Sequence, residues 1–81
     1  MSRPVWLPRE IYTPASAAER DAVRVAQRLF RLPETGEMDW STRAALRGLQ
    51  RISSLPVTGI LTCETAVVID SLRPWMPLED A

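Results

Sequence analysis

Beyond residue 15 the apolar positions fall at helical spacing. Ala22, Val23, Ala26, Leu29 and Phe30 share one face of a helix. Ser16 followed by Glu19 makes an S-x-x-E capping box, which starts this first helix near Ser16. Pro33 and Gly36 stop it. A second helix is expected from Asp39, an N-cap residue just before Trp40. Its apolar stripe is Thr42, Ala45, Leu46, Leu49 and Ile52, and Pro56 and Gly59 end it. A third starts at Thr62, carries Thr65, Val68, Ile69 and Leu72 inward, and ends before Pro74.

The pattern occurs twice. Residues 27–42 read QRLFRLPETGEMDWST and residues 50–65 read QRISSLPVTGILTCET. The shared frame is Q-R-[LI]-x-x-L-P-x-T-G-x-[ML]-x-x-x-T, at a constant offset of 23 residues. A fixed period means one supersecondary unit used twice. Two helix–loop units that share the middle helix give an all-α three-helix bundle. Leu32 and Leu55 are expected to plug the core where each helix ends. Gly36 and Gly59 are expected at backbone angles that a side chain would penalise. Met38 and Leu61 resemble hydrophobic staples before the caps, and Thr42 and Thr65 can return hydrogen bonds to the turn.

Three segments result: an extended arm over residues 1–15, the three-helix domain over 16–73, and a short tail over 74–81. Pro4, Pro8 and Pro14 favour extended backbone in the arm, and Val5, Trp6, Leu7, Ile11 and Tyr12 give it apolar anchors. The tail holds Trp75, Met76 and Leu78. At 81 residues the core is small, and one cysteine, Cys63, allows no internal disulfide. Without histidine and with one thiol, a zinc site is not expected, and no cofactor is expected either. Ten basic and ten acidic residues balance, which disfavours a nucleic-acid partner. No apolar run is long enough for a membrane span, and nothing at the N-terminus reads as a secretory signal.

The strings V-x-x-A-Q-x-x-F, L-P-x-T-G-x-M-D-x-x-T-x-x-A-L-x-x-L-Q and L-P-V-T-G-I-L-x-x-x-T resemble the peptidoglycan-binding-domain-1 family over about residues 20–72. The internal repeat is itself a trait of that family. The resemblance implies a small three-helix module that holds bacterial cell-wall murein. It usually sits beside the catalytic domain of a wall hydrolase, phage endolysins included. The D-G-x-x-G-x-x-T loop of many members is shortened here to Asp39–Trp40–Ser41–Thr42 and Thr62–Cys63–Glu64–Thr65.

Several residue groups are candidates for function. Asp39, Trp40, Thr42, Thr62 and Thr65 could line a ligand groove at the helix N-termini, where backbone N–H groups point outward; the plainer reading is simple caps. Trp40 could stack on a sugar ring or pack over the arm. Arg20, Arg24 and Arg28 recur 23 residues on as Arg43, Arg47 and Arg51. Each set makes a cationic stripe for an anion, or a solvated outer face. There is no histidine base, no G-x-S-x-G elbow and no phosphate loop, so no catalytic residue is assigned.

Two functions follow. The first is a stand-alone, non-catalytic module that binds peptidoglycan. The alternative is a bacteriophage virion subunit, such as a capsid decoration protein. In that case Trp6, Leu7, Ile11, Tyr12 and Trp75 latch onto neighbouring virion proteins, and removing residues 1–15 leaves the bundle folded. The expected location is the virion or the bacterial cytoplasm, with action at the cell wall after phage lysis or attachment.

Overall fold

A computed structural model describes residues 3–72. It holds three α-helices: α1 over Ala17–Phe30, α2 over Trp40–Ile52 and α3 over Cys63–Leu72. Each helix packs against the other two. Among the described residues there is no strand, only an isolated antiparallel bridge between Ile11 and Leu61. The chain is an all-α three-helix bundle. No described helix is long and apolar enough to cross a membrane.

The expected caps are in place. Ser16 Oγ accepts the Glu19 N–H, and Asp39 Oδ1 accepts the Thr42 N–H at 2.9 Å. Thr62 Oγ1 accepts the Thr65 N–H at 3.2 Å. The capping box of α1 closes differently from expectation. Glu19 Oε1 reaches past Ser16 to the Ala15 N–H at 2.8 Å, and Glu19 Oε2 takes the Arg9 guanidinium at 2.7 Å. A single carboxylate thus ties the arm to the start of α1.

Neither proline nor glycine ends α1 or α2, and the expected stop of α3 at Pro74 lies outside the described residues. α1 ends at Arg31 (φ 59°) and α2 ends just before Ser54 (φ 58°), both in the left-handed region. The next N–H turns back in each case: Leu32 donates to Gln27 O and Leu55 donates to Gln50 O, both at 2.9 Å. This is the six-to-one bond of a Schellman closure. Leu32 and Leu55 serve it through their backbones, and their side chains are only half-buried. Pro33, Pro56 and the two glycines come after the turn. Gly36 and Gly59 do carry the expected positive φ, 77° and 75°. A Cβ on Gly36 would stand 3.1 Å from Arg20 Cβ and 3.2 Å from Arg20 O.

The core consists of Ala22, Val23 and Ala26 of α1, Leu46 and Leu49 of α2, Ala66 and Ile69 of α3, the staples Met38 and Leu61, and two arm residues, Leu7 and Ile11. Leu29, Phe30, Val68 and Leu72 pack against it half-buried. Ile52 departs from the expected stripe: it sits at the last position of α2 and is 81% exposed.

The arm is part of the domain. Ile11 and Leu61 exchange both backbone hydrogen bonds at 3.0 Å. Glu10 Oε2 accepts the Cys63 N–H at 2.9 Å, at the first turn of α3. Trp6 Nε1 donates to Asp70 Oδ1 at 3.0 Å, near the end of α3. Leu7 and Ile11 are therefore not free anchors for a partner. Placing them in the chain's own core removes them from water, the strongest driving force available to so small a domain. Trp75 and the tail lie outside the described residues.

Candidate functional site

The repeat frame begins with a glutamine, and the structure gives that glutamine a role the sequence pattern did not reveal. Gln27 and Gln50 are fully buried. The side-chain amide of Gln27 donates to Thr42 Oγ1 at 2.9 Å, Glu37 O at 3.0 Å and Thr35 Oγ1 at 3.1 Å, while its Oε1 accepts the Gly36 N–H. Gln50 repeats the set 23 residues on. It donates to Thr65 Oγ1, Ile60 O and Thr58 Oγ1, and accepts the N–H groups of Thr58 and Gly59. The signal was available: Q, T-G and the final T are the uncharged polar letters that both units keep. They form one bonded cluster that shapes the loop into the next helix.

This cluster changes the expected groove. Thr42 and Thr65 are fully buried and point inward to the glutamines. Thr42 Oγ1 donates its own hydrogen bond to Asp39 Oδ1 at 2.7 Å, and the Thr62 and Thr65 hydroxyls meet at 2.7 Å. At α3 the Cys63 N–H is already taken by Glu10. Asp39, Thr42, Thr62 and Thr65 are thus caps bonded within the chain. Trp40 takes no part in these side-chain bonds and is 78% exposed.

Trp40 does not stand alone on the surface. Arg43 lies one turn further along α2, on the neighbouring strip of the helix. Its Nε donates to Met38 O at 2.9 Å and its Nη2 to Tyr12 O at 3.0 Å. Its guanidinium carbon stands 4.5 Å from the centre of the Tyr12 ring, a cation–π contact. Tyr12 keeps 62% of its surface in water. Arg43 and Tyr12 thus stack at the junction of the arm and α2, and the exposed Trp40 lies one turn before Arg43 on the same helix.

The two arginine stripes are not equivalent. On α1, Arg24 pairs with Asp21 at 2.6 Å and Arg28 pairs with Glu34 at 2.7 Å. On α2 the Arg43 bonds go to backbone carbonyls, and Arg47 and Arg51 have no acidic partner among the described residues. Arg20 likewise makes no ion pair there.

Three carboxyls are held below their ordinary range. The Arg9 hydrogen bond and then the Ala15 N–H lower Glu19; the Arg28 hydrogen bond lowers Glu34; the hydroxyl and N–H of Thr42 lower Asp39. Because each folded value lies below the unfolded one, the unfolded chain binds more protons in acid. Their contribution is complete above the ordinary values of 4.5 for Glu and 3.8 for Asp. It is lost as pH falls through the lower folded values. The urea midpoint should hold steady from about pH 7 to about pH 5 and fall steadily below about pH 4.5. A midpoint that stays level down to about pH 3 would show that these carboxyls gain nothing on folding.

The chain matches no family model, no curated protein and no solved structure.

Proposed function

We propose that this chain is a non-catalytic module that binds bacterial peptidoglycan, with Trp40 as its sugar-stacking residue. The exposure of Trp40 carries the reading. Trp40 is 78% exposed on the first turn of a capped helix, so its backbone is fixed and its apolar ring is left in water, where a ligand could cover it. Its flat apolar face suits the C–H face of a pyranose. The resemblance of the repeat to the peptidoglycan-binding-domain-1 family supplies the ligand class.

Co-sedimentation with purified sacculi tests it. The protein should pellet with sacculi, and Trp40→Ala should weaken retention by about tenfold, equivalent to about 1.4 kcal/mol. The same variant should unfold within about 0.5 kcal/mol of the parent, since so little of the side chain is buried. Retention unchanged in Trp40→Ala would remove Trp40 from the site.

The alternative reading, a virion subunit that latches through its arm, has less support. Leu7 and Ile11 are used by the domain's own core, and Trp6 is bonded to Asp70.

A further inference from the structure

The two units of the repeat provide an internal comparison. In the first, Asp21 and Glu34 neutralise Arg24 and Arg28. The corresponding arginines of the second are Arg47 and Arg51, and the positions of the two acids are held by Ala44 and Val57. The arginines have been kept and their counter-charges have not. Arg51 is exposed, and Arg47 lies half-buried along the Gly59 turn. Neither guanidinium makes a hydrogen bond or ion pair among the described residues.

Their placement ties them to Trp40. Steps of seven and eleven residues are close to two and three whole helical turns. Trp40, Arg47 and Arg51 therefore line up along one strip of α2, about 16 Å long. Ala44 and Gly48 flank the strip, and a Cβ on Gly48 would meet nothing within 4 Å. Among the described residues the strip is open at Gly48 and carries two guanidiniums, with an aromatic residue at one end.

We infer that this strip takes the carboxylates of the short peptides that branch from the glycan strand: Trp40 carries a sugar while Arg47 and Arg51 hold the acids beside it. This rests on the wall-binding reading and names the part of the polymer that gives it selectivity. Charge complementarity carries it. Two guanidiniums one turn apart, each with free N–H groups, match a ligand bearing carboxylates at intervals. An extended polyanion such as a nucleic acid fits less well, because the whole chain is neutral. Phosphodiester polymers of the wall share the anionic chemistry, and the experiment separates them.

The test uses the full chain and insoluble sacculi in three forms: untreated, stripped of phosphodiester polymers with acid, and stripped then amidated on their carboxylates by carbodiimide coupling. Retention should survive stripping and fall about tenfold on amidation. The Arg47→Gln/Arg51→Gln variant should lose the same factor on stripped sacculi and no longer distinguish them from the amidated form. Arg24→Gln/Arg28→Gln on α1 should change retention less than about twofold. Circular dichroism on each variant separates lost binding from lost fold. Equal retention by the parent on stripped and amidated sacculi overturns the inference and leaves the wall-binding reading standing. Binding that vanishes on stripping moves the anion from carboxylate to phosphate, and the inference fails. No retention on any form overturns both.

Discussion

Deleting residues 1–15 should unfold the domain. The truncated chain should lose most of its helical circular dichroism and show no cooperative thermal transition. Leu7 and Ile11 are 1% and 0% exposed, and both leave the core with the arm. Large-to-small changes at such positions cost about 2–5 kcal/mol each. The deletion also removes both backbone bonds to Leu61, the Glu10 cap on α3 and the Arg9 contact to Glu19. Domains have only about 5–15 kcal/mol of stability in total, and one of this size sits low in that range. The loss is of the same order as the whole. A milder change keeps the question measurable: Ile11→Ala should lower the unfolding free energy by about 2–5 kcal/mol. A truncated protein with a native spectrum and a sharp melt would mean that the three helices hold their core without the arm.

Gln50→Leu should be nearly as damaging, though it adds apolar surface to an already buried position. Leucine matches glutamine closely in volume but offers no polar atom. The Ile60 carbonyl and the N–H groups of Thr58 and Gly59 would lose their partner, with the Gly59 bond fully buried. A buried group left unpaired costs about 1–3 kcal/mol, so about 3–5 kcal/mol is expected for the set. Gln27→Leu should behave alike, since its bonds to Glu37 O and the Gly36 N–H repeat the pattern. Urea unfolding of the two variants measures both. A loss below about 1 kcal/mol in each would show that the glutamines fill space and do not organise the loops.

Much of the fold could be read from the chain because its cues are local. A serine, an aspartate and a threonine mark helix starts by what their side chains reach within three residues, and each is a cap in the structure. The period of 23 gave the architecture because it requires no knowledge of what touches what. The ends of α1 and α2 were misread locally, because a left-handed Arg31 and Ser54 close them before any proline or glycine is reached; the other misreadings mostly concern contacts between distant segments. A glutamine on the edge of an apolar stripe looks like a surface residue until the loop that surrounds it is in place. Ile52 continues a helical stripe by spacing, but the helix ends there and, among the described residues, it stays exposed. The arm was set apart because prolines break its periodicity. Leu7 and Ile11 join the core formed by all three helices, Ile11 by pairing with Leu61, and no spacing within the arm could show that. The site followed the same rule. Trp40 was visible as an aromatic residue on a polar loop, whereas the inward turn of Thr42 and Thr65 depends on glutamines fifteen residues before each.

α2 closes the first unit and opens the second. It supplies Thr42 to the cluster around Gln27 and Gln50 to the cluster that ends on Thr65. No cut through the chain leaves an intact half, so the molecule should melt in one step despite its visible internal symmetry. The same overlap sets how such a protein could grow. Another copy of the 23-residue period would add one helix and one loop, not a second domain, and the last helix of the present chain would become the first of the new unit.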